Sequence, residues 1–230
     1  MRESVHSSAN PACHGRPCVD AGRLILAFVQ LLALWLTGPE VLAAAPAKPS
    51  PIAAASSAPK LADAELIDQD GKSIRFASQA VGDRLVVINF VYTSCGTICP
   101  LVSANFKRLQ DKLATQTGRE VWLISISLDP ATDTPARLRE YAARYKPRPG
   151  WLWLTGTQHN VEQVLKGLGT TTANFRDHAP LTLVGDARTG RWSRLNTLVG
   201  PEQIRSEINA LLAARKSRSG YRSPTADPSR

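Results

Sequence analysis

The segment Arg84–Tyr92, RLVVINFVY, most strongly limits the folds that are open to this chain. It is apolar and largely β-branched on both faces, which is typical of a strand that is covered on both sides in a parallel sheet. Leucines at helical spacing follow after Pro100, and a second buried run comes at Val121–Leu128. Because parallel neighbours need a crossover connection, the segment predicts a β-α-β unit.

The remaining pattern predicts further strands and helices around this unit. A hairpin is expected over 64–76, where Asp70-Gly71 supplies the turn, and a second hairpin over 181–198. Further elements are a helix from Pro135 through Tyr145, a strand over 151–155, a helix over 157–168 and a final helix over 200–214. This order predicts an α/β protein, a thioredoxin-like sandwich with an N-terminal β-hairpin extension.

The two ends of the chain do not have the composition of a folded domain. Three arginines precede a largely apolar run of 13 residues over 24–36, and small residues follow, which is typical of a secretory signal peptide. The run would span about 20 Å as a helix, short of the roughly 30 Å hydrocarbon core, although a retained anchor stays open. We therefore expect a signal peptide or anchor over 1–45, a Pro/Ala/Ser linker over 46–60, a folded domain over 61–214 and a disordered basic tail over 215–230.

The predicted export segment determines which cysteines the mature protein would keep. Cleavage of the export segment would remove Cys13 and Cys18 and leave only Cys95 and Cys99. The expected compartment is the periplasm or its membrane surface, which is oxidising, so this pair is a bridge, a redox couple or part of a metal site.

The net charge of +9 lies in the exported part, where the basic tail could contact anionic lipid headgroups. No phosphate loop, catalytic triad or nucleic-acid module is recognisable.

Cys95 and Cys99 lie between the first buried strand and the helix that Pro100 opens. The positive end of the helix dipole favours thiolates there, and a spacing of four brings the two sulfurs to one side of a turn. They could form a disulfide or bind one soft metal ion. A purely structural bridge would stabilise weakly because it closes so short a loop.

Two thiolates leave a copper or zinc ion with too few ligands, so a third ligand is needed. The predicted exported part has two histidines. His159 begins a helix and is expected to be an ordinary surface side chain, whereas His178 lies on a loop that leads into a buried strand. On these grounds alone His178 remains only a candidate ligand.

Three segments in order, NFVYTSCGTICP, SISLDPATDTP and RDHAPLTLVGD, closely resemble the Sco/SenC family of copper-handling proteins. The resemblance runs over about 64–212 and implies that Cys95, Cys99 and His178 bind copper, as Cu(I) and as Cu(II). It also implies a metallochaperone that assists assembly of the dinuclear copper site of a haem-copper cytochrome oxidase. Asp129 and Asp133 match the family's acidic loop, although ending a strand and capping a helix would equally explain them.

Two other functions stay open. In a thiol–disulfide reductase, Cys95 would attack and Cys99 would resolve the mixed disulfide, so whether the chain is an enzyme is undecided. Ala179-Pro180 supports this alternative, because it resembles the cis-proline that faces the cysteines in such oxidoreductases. The chain could also be a redox-signalling protein. Between the cysteines, many family members have Pro and Asp, whereas this chain has Gly96-Thr97-Ile98. The loop of this chain is therefore less acidic.

Overall fold

Residues 58–170, 174, 176, 179–195 and 198–220 are described by the computed structural model. The predicted export segment 1–45, most of the linker and the last ten residues of the predicted tail lie outside the described residues. Within the described part, no helix is both long enough and apolar enough to cross a membrane.

A seven-stranded mixed sheet organises the domain, in the strand order β2-β1-β5-β4-β3-β6-β7. The three central strands β3, β4 and β5 run parallel, and both outer pairs are antiparallel hairpins. The strands are β1 Glu65–Asp68, β2 Ser73–Arg75, β3 Leu85–Val91, β4 Val121–Ser127, β5 Trp151–Thr155, β6 Thr182–Asp186 and β7 Arg191–Leu195. The helices are α1 Ile98–Leu113, α2 Pro135–Ala143, α3 Gln158–Gly167 and α4 Pro201–Gly220.

Strand β3 is buried along its whole length, as its sequence predicts. Its side chains alternate between two cores: Leu85, Val87 and Val91 join one, and Val86 and Ile88 join the other. Helices α1, α2 and α4 cover the first core, while α3 and a wide helical turn over Phe76–Val81 cover the second. Each fully buried aliphatic side chain contributes roughly 1.5–3 kcal/mol, so this strand is a main source of stability.

Strands β6 and β7 approach each other closely at a glycine. Gly185 pairs with Trp192 across the hairpin, and a Cβ at position 185 would overlap the indole ring. Trp192 is 5% exposed and packs into the second core. Position 185 therefore requires glycine because a Cβ has no room beside the indole ring, and not because of the backbone dihedral angles.

Element boundaries differ from the sequence-based expectation at three places. Helix α1 begins at Ile98 rather than at Pro100, so Cys99 lies within its first turn. Helix α2 ends at Ala143, two residues before the predicted end, and Lys146 just beyond it has a positive φ of 49°. Helix α4 continues to Gly220, although a disordered tail was predicted from Arg215 onward.

A buried ion pair explains the longer helix α4. The Arg215 guanidinium donates to both carboxylate oxygens of Asp186, at 2.7 Å from Nε and 2.6 Å from Nη2, and Nη2 also donates to the Asp83 carbonyl at 3.2 Å. Asp186 is fully buried at the end of β6, and the Arg215 side chain is 18% exposed. The paired arginine holds the helix against the sheet beyond Ala214, the predicted domain end.

Candidate dithiol and metal site

The carboxyl end of the central strand β3 positions the two cysteines. Cys95 lies on the loop that follows Val91, and Cys99 lies in the first turn of α1. Both are free thiols and both are nearly covered, with 6% and 3% of their surface exposed. The structure thus places the predicted pair together on one side of a helix start, below the protein surface.

The Cys95 sulfur occupies the position of a helix cap. Thr97, which precedes α1, makes no side-chain capping bond, and the first turn contains no acidic residue. The backbone N–H of Cys99 instead points at Cys95 Sγ, at 3.4 Å. Thr97 Oγ1 lies 4.0 Å from the same sulfur. Since the first N–H groups of a helix lack intrahelical partners, they stabilise negative charge on this sulfur.

The two thiols have very different acidities. Burial opposes ionisation of Cys95, but hydrogen bonds from Cys99, from the Thr97 backbone and from the Tyr92 side chain lower its pKa to about 7. Burial raises the pKa of Cys99 to about 12, and the hydrogen bond with Cys95 adds to this rise. The Tyr92 phenol, bonded to Cys95 and partly buried, has its pKa raised to about 12. As the pH rises through neutrality, Cys95 is therefore the first of the two thiols to ionise, while Cys99 stays protonated.

A buried carboxylate fastens the loop that carries Cys95. Asp133 is fully buried and accepts hydrogen bonds from Thr93 N at 3.1 Å, from Thr93 Oγ1 at 2.6 Å and from Ser127 Oγ at 2.6 Å. The expectation that Asp133 caps helix α2 is therefore wrong, because its oxygens face the loop after β3. Thr134 caps that helix, with its side chain accepting from Arg137 N. Asp129 follows the end of β4, as expected, and is 9% exposed.

Of the two histidines considered as ligands, the structure describes only His159. His159 is exposed at the start of α3 and bonds to Gln163, which confirms its expected surface position. His178 lies outside the described residues. Among the described residues no cluster of three His, Cys, Asp or Glu side chains could hold a metal ion. The described site provides two sulfur ligands, which suit Cu(I), and His178 as a third ligand stays a prediction.

The resemblance of Ala179-Pro180 to a cis-proline is not matched by the structure. The described residues contain no cis peptide bond, and the Ala179–Pro180 bond lies among them. A trans bond is the more stable form for an X–Pro pair by about 0.5–1 kcal/mol when nothing selects the other isomer.

Two contributors to the site were not identified from the sequence. Tyr92 supplies a hydroxyl to Cys95, and Thr93 ties the loop to a carboxylate 40 residues further along the chain. Their position between the strand and the first cysteine was the only available signal. That position does not fix the direction of either hydroxyl, since the direction depends on the tertiary partner.

Comparison with known proteins adds an independent line of evidence. The family model described as SCO1/SenC matches residues 53–208. A protein of Stutzerimonas stutzeri, named provisionally as a copper-binding protein, is 32% identical over 150 residues, which make up 64% of this chain and 68% of that relative. Other curated relatives are matched over about half of their own length.

Two solved structures have the same fold. ScoI of Bradyrhizobium japonicum with copper bound has a TM-score of 0.53 and 26% identity, covering 64% of this chain and 96% of the other. BsSco, described as a member of the Sco family of cytochrome c oxidase assembly proteins with a disulfide switch, has a TM-score of 0.56 and 26% identity, covering 66% and 92%. These matches confirm the predicted thioredoxin-like α/β fold.

Proposed function

Because this chain belongs to the SCO1/SenC family, we propose that it is an exported copper metallochaperone. Its cargo is copper, held by Cys95, Cys99 and His178. Its client is the subunit that carries the dinuclear copper site of a haem-copper cytochrome oxidase. Support comes from the copper-bound ScoI structure and from the oxidase-assembly description of BsSco, both of which share this fold.

The observation that carries the proposal is the dithiol itself. Two unbridged cysteines lie together, one on the loop after β3 and one in the first turn of α1, and Cys95 has its pKa lowered to about 7 and therefore ionises near neutral pH. Thiolates are the preferred protein ligands of Cu(I), and an added imidazole makes the same site suitable for Cu(II). The residues present thus fit the proposed cargo.

Copper titration of the purified, reduced protein tests the assignment. We expect one copper per chain, and we expect Cys95→Ser and Cys99→Ser each to lose most of the Cu(I) affinity. We expect His178→Ala to abolish stable Cu(II) binding and to weaken Cu(I) binding less, because two thiolates still suit Cu(I). His159→Ala is the matched control, since His159 is exposed on α3.

The readouts are copper-to-protein stoichiometry, a competition assay for Cu(I), and optical and electron paramagnetic resonance spectra of Cu(II). Protein whose cysteines have been oxidised to a disulfide should bind no copper until it is reduced. Equal uptake by the oxidised and reduced forms, or an unchanged Cu(II) spectrum in His178→Ala, would contradict the three-ligand site.

The second candidate is a thiol–disulfide reductase that prepares the cysteines of the client. The unequal acidities favour it, because a thiolate near pKa 7 is a good attacking group and a neutral partner thiol can resolve the mixed disulfide. Reduction of a disulfide peptide should then survive His178→Ala. Loss of copper binding together with retained reductase activity in this variant would separate the two functions.

Export and location are part of the same proposal. The periplasm, or the periplasmic face of the membrane, is the compartment in which an exported copper carrier would meet its client. The intact mass of the protein recovered from that compartment tests it: we expect a chain that begins near residue 45. Recovery of the full-length chain in the membrane fraction would favour a retained anchor.

A further inference from the structure

A small cavity lies beside the loop that carries Cys95. Among the described residues, its lining consists of Thr93, Arg137, Glu140, Tyr141 and Arg144, and its volume is about 170 Å³. A molecule of liquid water occupies about 30 Å³, and cavities for drug-sized ligands measure roughly 300–1,000 Å³. The cavity therefore has room for one side chain of a partner. We call it the arginine pocket.

Helix α2 positions both arginines of the pocket. Arg137 lies in α2 and Arg144 directly follows it with helical dihedral angles, so the seven-residue spacing places the two on one side of the helix. Both side chains are exposed. Arg137 donates to the Thr132 carbonyl at 3.3 Å, and the Arg144 guanidinium lies 5.4 Å from the Tyr141 ring centroid. Each guanidinium has several N–H donors, so most of them stay available to a ligand.

The charges of these two arginines are not paired within the described part of the chain, where neither forms an ion pair with a carboxylate. By contrast, Arg139 on the same helix lies 3.5 Å from Asp70. The buried carboxylate of Asp133 accepts its hydrogen bonds from the loop after β3 and from β4 instead. Glu140 supplies one negative charge against two positive charges, so the pocket lining has a net charge of +1. A carboxylate is the ligand that suits paired guanidinium groups best.

Two observations place the pocket next to the dithiol. Thr93, which belongs to the lining, is two residues before Cys95, a separation of at most roughly 7 Å along the chain. Burial chiefly raises the pKa of Tyr141, and the charge of Cys99 adds to the rise, so this phenol lies within electrostatic reach of the second sulfur. A reactant at Cys95 can therefore place a group one or two residues away into the pocket.

We propose that the arginine pocket receives a carboxylate side chain of the client, so that the dithiol acts preferentially on cysteines with an acidic residue within about two positions. The inference rests on the proposed function and adds to it the chemical class of the client segment. A concave cavity of this size fits a protruding side chain rather than the flat surface of a membrane. Glu140 weakens the attraction without cancelling it, because it opposes two guanidinium charges with one.

Thiol–disulfide exchange with such a client oxidises the dithiol by two electrons. The Cys95 thiolate attacks one sulfur of the client disulfide, an S–S bond forms between the two proteins, and the other client sulfur leaves as a thiolate. The Cys99 thiol then gives its proton to that thiolate and attacks the Cys95 sulfur. The second client sulfur leaves as a thiolate, and the two cysteines end as a disulfide.

Alkylation of Cys95 by iodoacetate and by iodoacetamide tests the pocket without any client. The two reagents are of similar size, and only iodoacetate carries a negative charge. Peptide mass spectrometry of the reduced, metal-free full chain gives both rates at Cys95, and their ratio cancels any change in the ionisation of this thiol. We expect Arg137→Gln and Arg144→Gln each to lower the iodoacetate-to-iodoacetamide ratio about two- to threefold at low salt, the effect of one unit charge roughly 8 Å away in water.

Two further variants check the sign and the location of the effect. Glu140→Gln should raise the ratio by a similar factor, because it removes the one negative charge of the lining. Arg139→Gln is the matched control and should leave the ratio unchanged, because Arg139 pairs with Asp70 outside the pocket. High salt should reduce all of these differences. Circular dichroism establishes that each variant is folded.

Peptide disulfides extend the test to the client segment. The symmetric disulfides of N-acetyl-Cys-Gly-Glu-amide and of its Gln counterpart differ only in the carboxylate. The rate of reduction of the Glu peptide relative to the Gln peptide should fall roughly four- to ninefold in the double variant Arg137→Gln/Arg144→Gln, the product of the two single effects. Each variant is compared with the parent on the same peptides, so differences in their intrinsic reactivity cancel.

An unchanged alkylation ratio in both arginine variants would overturn the proposal. The same relative peptide rates in the parent and in the double variant would also overturn it. A parent protein that reduces neither peptide would contradict the reductase function and not the pocket, because the alkylation ratio tests the pocket independently.

Discussion

Replacing Arg215 by Ala tests whether the end of helix α4 belongs to the fold. The guanidinium makes two short hydrogen bonds to Asp186, at 2.7 and 2.6 Å, and the carboxylate has no exposed surface. The substitution would leave a buried carboxylate without its cation. Such a broken pair typically costs about 3–5 kcal/mol, because the remaining charge is still desolvated.

The structure places the expected loss at the lower end of that range. Asp186 Oδ1 also accepts from the backbone N–H groups of Arg188 at 3.0 Å and Thr189 at 3.3 Å, and these bonds survive the substitution. We therefore expect Arg215→Ala to lower the free energy of unfolding by about 3 kcal/mol. For a domain of this size, such a loss lowers Tm by roughly 6–12 °C.

Chemical and thermal unfolding, followed by tryptophan fluorescence, measures the loss. Lys216→Ala is the matched control, since Lys216 is exposed one residue away and its removal should change stability by less than about 0.5 kcal/mol. Two truncations extend the test. A chain that ends at Ala214 should be as unstable as Arg215→Ala, and a chain that ends at Gly220 should keep nearly full stability.

The pH dependence gives a further check. Burial alone would raise the pKa of Asp186, but its hydrogen bonds with Arg215 hold that pKa below its ordinary value of 3.8. The pair therefore stabilises the fold above about pH 4, and this contribution is lost as the pH falls through the lowered pKa. The difference between the parent and Arg215→Ala should narrow in acid. Equal stability of the two proteins at neutral pH, or an Ala214 truncation as stable as the full chain, would refute the reasoning.

Two further predictions concern the dithiol and the β6–β7 hairpin. In the reduced, metal-free protein, the rate at which iodoacetamide alkylates Cys95 should rise with pH around a midpoint of about 7, while Cys99 should stay largely unlabelled at neutral pH. Peptide mass spectrometry distinguishes the two labelled sites. Preferential labelling of Cys99 would contradict the assigned acidities. Gly185→Ala should cost about 1–3 kcal/mol because its methyl group overlaps Trp192. Gly200→Ala, where a Cβ meets open space, should cost no more than about 1 kcal/mol in the same unfolding assay, and equal losses would count against the overlap.

Local pattern was sufficient for most of the architecture. The apolar run of β3 and the turn residues of both hairpins predicted elements that the structure contains, because burial on both faces and tight turns restrict which residues are tolerated. The Cys95–Cys99 pair was likewise recognisable, since its spacing and its place before a helix are local features.

The features that the sequence did not reveal depend on partners that are distant along the chain. Arg215 lies in a polar, basic segment that looks disordered, and its order depends on Asp186, which is 29 residues earlier. Asp133 lies where a helix cap is expected, but its hydrogen bonds go to Thr93 and Ser127. In each case a single buried charge selects its partner by tertiary geometry, which local propensity does not encode.

The two edges of the sheet have a consequence for self-association. One edge, β2, is only three residues long, and the other, β7, carries Arg191 and Arg194. Arg194 also donates hydrogen bonds to the carbonyls of Leu168 and Gly169. Short edges and edge cations both discourage strand-by-strand addition of a second molecule. The fold therefore resists growth into extended sheets through either edge of the sheet.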